Sequence, residues 1–228
     1  MSDSHNRRPA VNPTLGSGPI AASPGAFAPH AFTFLNSFCT TILTTAIFFL
    51  TKNAYHFSQA QNLMLAVLLG VTYIFGAKYA GSLSRLFRRI VPGGSTRGIL
   101  AVVLVALCLL CLTPLLFTAF SPSTGSWPIW FVIGIYSPLT GILWPLVESY
   151  IASGKRGQQL VSTIGVWNVN WSAAGAIASI AFAPLVAKHA LEGMALLGLI
   201  HLASSVCLRW FSANPAPHGD GSHEPHPP

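Results

Sequence analysis

The chain has 228 residues, of which 52% are apolar and 7% are charged, and its mean hydropathy is +0.57. About a quarter of the residues in a soluble domain are charged, so this composition excludes an ordinary soluble domain and indicates a membrane protein. The formal charge of +7 would also suit a nucleic-acid-binding protein. The positions of the basic residues, given below, explain the charge without nucleic acid.

Both ends of the chain have the composition of disordered segments. Residues 1–31 are rich in Pro, Gly, Ser and Ala, and a long polar stretch separates Arg7 and Arg8 from the first apolar run, unlike a signal peptide. Residues 212–228 are rich in Pro and His. We therefore expect two disordered cytoplasmic tails around a membrane domain at residues 32–211.

Six apolar runs of about twenty residues follow one another between the tails. A helix rises about 1.5 Å per residue, so each run is long enough to cross the roughly 30 Å hydrocarbon core. The runs do not alternate as the strands of a membrane barrel do. The sequence predicts an all-α, polytopic protein with six transmembrane helices at residues 32–51, 60–82, 98–120, 127–151, 160–184 and 190–211.

The Lys and Arg residues predict the orientation of these spans. If the amino terminus is cytoplasmic, ten of the twelve lie on the cytoplasmic side, and only Lys52 and Lys188 lie outside. This distribution agrees with the positive-inside rule. We expect a cell (inner) membrane protein with both termini in the cytoplasm.

No metal site or cofactor is expected. The four cysteines lie inside the apolar spans, and the pair Cys108 and Cys111 has no His or acid nearby. They are interpreted as small packing residues.

Polar residues form a stripe along two of the predicted spans. Asn36, Thr40 and Thr44 recur every four residues in the first span, and Asn168 and Ser172 do so in the fifth. This spacing places each set on one helix face. Such a stripe either packs helices together or lines a water-filled cavity, and the sequence leaves both open. Trp167 and Trp171 are interpreted as packing residues.

Two further polar residues lie deep in predicted spans. Ser137 lies beside Pro138 in the fourth span, and His201 lies near the middle of the sixth. A histidine at this depth is either hydrogen-bonded for structural reasons or handles protons. Together with the stripes, they give the candidate substrate-cavity residues Asn36, Thr40, Thr44, Ser137, Asn168, Ser172 and His201.

Glu148 is one of only two acids outside the tails, and it lies near the cytoplasmic end of the fourth span. A carboxylate at this depth needs a partner. Nearby loops supply several bases, so we predict a cytoplasmic charge network of Arg85, Arg88, Arg89, Glu148, Lys155 and Arg156. The alternative is an acid that merely marks the membrane boundary.

Two segments resemble the major facilitator superfamily of transporters. "GSLSRLFRR", at residues 81–89, is similar to the family loop G-x-L-[SA]-D-R-x-G-R-R, although it lacks the Asp and the second Gly. "PLVESYIASGKRG", at residues 145–157, is similar to P-x-x-E followed by a basic residue and Gly. The resemblance implies the amino-terminal six-helix half of a transporter that moves a small solute by alternating access. Neither catalytic residues nor nucleic acid is expected.

The family has two six-helix halves, so the resemblance implies either a homodimer or pairing with a separate second half. A truncated gene product and a non-transporting membrane subunit remain open. A six-span intramembrane serine protease is a further alternative because Ser137 and His201 lie on the fourth and sixth spans, although "GIYSP" departs from the expected G-x-S-G.

Overall fold

The computed structural model describes residues 24–120 and 125–216, and this part of the chain is all-helical. Six α-helices are followed by a short 3-10 helix at Ser205–Trp210. The α-helices are α1 Pro24–Ala54, α2 Gln59–Ile90, α3 Thr96–Phe120, α4 Trp127–Ala152, α5 Gly157–Lys188 and α6 Ala190–Ser204.

Five segments are long and apolar enough to cross a membrane: α1 from Phe27, α2, α3, α4, and α6 together with its 3-10 extension. The protein is therefore of the multi-pass membrane class. Among the described residues, α5 does not meet the same test, although it contains the predicted span 160–184. This helix carries several amide side chains, at Gln158, Gln159, Asn168 and Asn170.

The helices extend beyond the predicted spans, and the described structure reaches into both predicted tails. α1 begins at Pro24 rather than at residue 32, and Ala28 and Phe32 on it are buried. Residues 212–216 make defined hydrogen bonds instead of lying free. The prediction of disorder therefore does not hold for residues 24–31 and 212–216, while residues 1–23 and 217–228 lie outside the described part.

The helices pack most extensively as three pairs: α2 with α4, α1 with α5, and α3 with α6. α3 also packs on α4, and α1 on α6, so the pairs form one bundle. Contacts of α5 with α4 are few. The bundle is consequently tight along α2–α4 and loose between α4 and α5.

Glycines create the close approach of α2 and α4. A Cβ added at Gly76 would collide with the Pro138 carbonyl oxygen, and one at Gly141 with the Tyr73 carbonyl oxygen. Ser137 Oγ donates to the Leu69 carbonyl oxygen at 2.6 Å across the same contact. Small residues and interhelical hydrogen bonds are the usual means of joining helices in a membrane.

A terminal segment, residues 211–216, joins several helix ends on one side of the bundle. Asn214 Oδ1 accepts from the Thr96 amide at 3.0 Å at the start of α3. Tyr150, near the end of α4, donates to the carbonyl oxygens of Ser212 and Ala213 at 3.0 and 3.1 Å. Arg97 Nη1 donates to the Phe211 carbonyl oxygen at 3.0 Å. On this side of the bundle, the end of α2 carries Arg85, Arg88 and Arg89, and Lys155 and Arg156 lie just after α4.

Candidate functional site

A cavity of about 410 Å³ lies among α1, α2, α4 and α5, and we call it the polar cavity. It is lined by Ser37, Thr40, Thr41, Thr44, Tyr73, Trp144, Glu148, Trp167, Asn168 and Trp171. Three of the seven predicted cavity residues, Thr40, Thr44 and Asn168, are among them. The four-residue spacing on α1 therefore turns part of the stripe toward a cavity.

The hydroxyl groups on α1 are arranged by the helix itself. Thr44 Oγ1 donates to the Thr40 carbonyl oxygen at 2.8 Å, and Thr45 donates to that of Thr41 at 2.6 Å. Because the Thr44 hydrogen is used within the helix, its oxygen is left as an acceptor toward the cavity. On the α5 side, Gly175 leaves room for Thr41, whose Oγ1 would lie 3.2 Å from a Cβ placed there.

Three tryptophans and a tyrosine supply the apolar walls. Trp167 Nε1 donates to Thr33 Oγ1 of α1 at 3.2 Å, and Trp171 Nε1 donates to Asn168 Oδ1 at 3.1 Å. These bonds fix the donor edges of both indoles. Trp167 and Trp171 were predicted to be packing residues, and in the structure they also line the polar cavity. Trp144 and Tyr73 belong to α4 and α2.

Glu148 is the acid of the polar cavity, and it also lines a second cavity of about 410 Å³ between α4 and α5. Lys and Arg are missing from the residues that line either cavity. In residues 24–120 and 125–216, the one acid–base contact within 4.0 Å joins His189 to Glu192. Glu148 therefore has no basic partner within that distance in the described structure.

The bases predicted to pair with Glu148 bind other groups. Arg85 donates to Ser82 at 2.9 Å, Arg88 to Thr96 at 2.7 Å, and Lys155 to the Ile151 carbonyl oxygen at 2.6 Å. Burial lowers the pKa of Lys155, since desolvation disfavours the ammonium. Arg89 and Arg156 are exposed. The structure does not bring these residues together, so the charge network stays a prediction.

Two of the predicted cavity residues instead form a buried network. His201 Nδ1 lies 2.7 Å from Asn36 Oδ1, and His201 Nε2 lies 2.9 Å from Tyr136 Oη. Asn36 Nδ2 donates to Ser204 Oγ and to the Phe32 carbonyl oxygen, each at 2.9 Å. Assigning the His201 proton to Nδ1 lets Tyr136 donate to Nε2, and both amide hydrogens of Asn36 are then used.

The side chains of this network are buried in the core of the bundle and do not line a cavity. Asn36 and His201 are both 0% exposed, and Tyr136 is 1% exposed. A neutral imidazole with both nitrogens engaged satisfies the buried polar groups around it, as membrane interiors require. The structural interpretation of His201 fits this geometry, and Asn36 and His201 do not contact the polar cavity.

The last two predicted cavity residues also lie elsewhere. Ser137 is 2% exposed and bonded to Leu69 across the α2–α4 contact. Ser172 is exposed on α5 and is not among the residues lining the polar cavity. Ser137 and His201 bind different partners, so these two residues do not form the nucleophile–base pair that a serine protease needs.

Sequence reasoning interpreted Trp167 and Trp171 only as packing residues, and it missed Tyr73 in the lining and Tyr136 and Ser204 in the buried network. Tyr73, Trp144, Tyr136 and Ser204 gave no polar pattern of their own, although Trp144 precedes Glu148 by one helical turn. Comparisons of the chain with protein-family models, curated proteins and solved structures found no match. The polar cavity, with its single carboxylate, is the candidate functional site.

Proposed function

We propose that this protein is the membrane-embedded part of a transporter that moves a small solute by alternating access, with the polar cavity as the solute site. The observation that supports this most directly is the lining itself. Thr44, Asn168 and Glu148 would lie within the membrane, where polar groups that do not pack against other helices mark solute and ion pathways.

The loose packing of α4 against α5 supports the same proposal. Besides the polar cavity, cavities of about 410 and 290 Å³ lie along these two helices. By contrast, the tight α2–α4 contact holds its two helices as one unit. Alternating access requires units that move against each other around a site. We infer that α5 moves relative to the α2–α4 pair, since the Asn36–His201–Tyr136 network holds α1 against α4.

The exposed apolar faces of α2 and α5, two of the helices around the polar cavity, suggest that a second polypeptide binds there. Only 17% of the most apolar window of α2 is buried, against 44–56% in the other four candidate spans. Large apolar side chains such as Val71 on α2 and Ile177 on α5 are 45% and 49% exposed. A second copy, or a separate six-helix half like that of major facilitator transporters, would cover these faces.

The proposal includes the predicted orientation and the sixth span. α5 packs along α1, so we expect α5 to cross the membrane beside α1. The helix ends around the terminal segment carry Arg88, Arg97 and Lys155, while Lys52 lies at the end of α1 on the opposite side. By the positive-inside rule, this arrangement supports the proposal that the terminal segment and both termini are cytoplasmic, in a cell (inner) membrane.

Uptake by reconstituted vesicles tests the proposal. Vesicles holding the purified protein are incubated with a mixture of small metabolites, and the contents are compared with those of empty vesicles by mass spectrometry. We expect selective uptake that Asn168→Trp abolishes by filling the cavity, while Ile180→Trp, at an 80% exposed site on the same helix, preserves it. Equal uptake by protein-containing and empty vesicles, with co-purified partners retained, would favour a non-transporting subunit.

A further inference from the structure

The polar cavity combines one carboxylate with an aromatic lining. Of the ten residues that line it, four are aromatic (Tyr73, Trp144, Trp167 and Trp171), Glu148 is acidic and none is basic. Three of the six tryptophans of the chain are thus gathered around one acid. Aromatic faces attract cations, and Trp does so most strongly.

Hydrogen bonds inside the protein reduce the donors available to a solute. The indole N–H groups of Trp167 and Trp171 are both engaged, and the Thr44 hydroxyl donates to its own helix. An anionic solute is bound by hydrogen-bond donors or basic side chains, whereas a cation is bound by hydrogen-bond acceptors and aromatic faces. These three donors are therefore engaged within the protein, and the lining contains no Lys or Arg to neutralise an anion.

The charge of Glu148 also favours a cationic solute. A carboxylate within a membrane protein requires compensation, and no described Lys or Arg side chain lies within 4.0 Å of it. Lys155, one of the nearest bases along the chain, lines a different cavity and donates to the Ile151 carbonyl oxygen. A cationic solute would supply the missing charge in the cavity itself.

We propose that the polar cavity binds an organic cation, an amine or quaternary ammonium group on an apolar body, with the cationic group beside Glu148 and the aromatic residues around it. As the substrate class of the transporter, this inference rests on the proposed function. A volume of about 410 Å³ accommodates such a solute.

Equilibrium binding in detergent tests the inference without requiring transport. The probe is phenyltrimethylammonium, compared with its neutral isostere tert-butylbenzene and with benzenesulfonate, each titrated into the full chain by calorimetry. We expect the cation to bind at least about tenfold more tightly than the neutral isostere, since cation–π contacts and the carboxylate both distinguish the charge, and we expect no binding of the anion.

Matched variants locate the binding. Glu148→Gln keeps the side-chain volume and should weaken cation binding by about tenfold, while Glu192→Gln, an exposed acid at the start of α6, should leave it unchanged. Trp167→Leu should weaken it several-fold, while Trp210→Leu, a 51% exposed residue outside the cavity, should not.

The outcomes separate the two proposals. Equal affinity for the cation and its neutral isostere, or preference for the anion, would overturn the cation assignment even if vesicles take up another solute. Cation binding that Glu148→Gln leaves intact would also overturn it. Cation binding that depends on Glu148, with no flux into vesicles, would instead support the site and contradict transport.

Discussion

His201 on α6 and Asn36 on α1 are joined by a hydrogen bond of 2.7 Å between Nδ1 and Oδ1, and both side chains are fully buried. The bond holds α6 against α1, while Tyr136 extends it to α4 at 2.9 Å. It therefore fixes the relative positions of three helices beside the polar cavity. A buried network of this kind stabilises the fold only while all its members are paired.

The first prediction concerns this network. His201→Leu removes the hydrogen-bond partner of Asn36 Oδ1 and of the Tyr136 hydroxyl and should lower the free energy of unfolding by about 1 to 3 kcal/mol. Asn36→Leu should act similarly, and the double variant should cost less than the sum, because the second change removes groups already unpaired. Denaturation in mixed micelles of sodium dodecyl sulfate and dodecyl maltoside measures this, and strictly additive losses would contradict the coupling.

The second prediction concerns the α2–α4 contact. Gly141→Ala places a methyl group against the Tyr73 backbone and should destabilise the protein by about 1 to 3 kcal/mol, as overpacking does. Gly134→Ala on the same helix is the control, since the nearest atom to its added Cβ is Leu68 Cδ2 at 3.9 Å. Equal denaturation midpoints for the two variants would show that the close approach is not required.

The third prediction concerns the terminal segment. Asn214→Ala removes the acceptor for the Thr96 amide and hydroxyl, at 3.0 and 3.1 Å, and should cost about 1 kcal/mol, like other helix N-cap losses. Asn214→Asp keeps an oxygen in place and should retain stability. If thermal unfolding of the alanine and aspartate variants coincides, the segment does not cap α3.

The fourth prediction concerns the partner. Single cysteines at Val71 or Ile177, in a chain whose native cysteines are replaced, should form disulfides in native membranes with a second copy or with another polypeptide. Leu109→Cys on α3, where the residue is 60% exposed, should cross-link less. Gel electrophoresis with mass spectrometry of the products reads this out, and equal yields at all three positions would indicate random collision.

The membrane class and the helix pattern follow from hydropathy alone, but the cavity does so only in part. Asn36, Thr40 and Thr44 share one stripe on α1, yet Asn36 meets Ser204 of α6 while Thr40 and Thr44 meet the space left by α4 and α5. Periodicity gives the face of a helix. It does not give the neighbour that covers each turn of that face, because that depends on how the helices pack.

Glu148 illustrates the same limit. Its depth in α4 predicts that it needs a partner, and the nearby bases of the sequence suggested salt bridges. In the structure, the side chains of Arg88 and Lys155 are held by Thr96 and by the Ile151 carbonyl oxygen. The aromatic residues near Glu148 come from α2, α4 and α5, and spacing along one helix does not relate residues on different helices.

Alternating access requires that the polar cavity can be reached by solvent from both sides of the membrane. Thr44→Cys and Asn168→Cys, in the chain without native cysteines, are labelled in oriented vesicles by a membrane-impermeant thiol reagent added to either side, with the buried Ser137→Cys as the control. We predict that both cavity cysteines react from each side while Ser137→Cys stays protected. Reaction from one side only, or protection of all three, would contradict alternating access through this cavity.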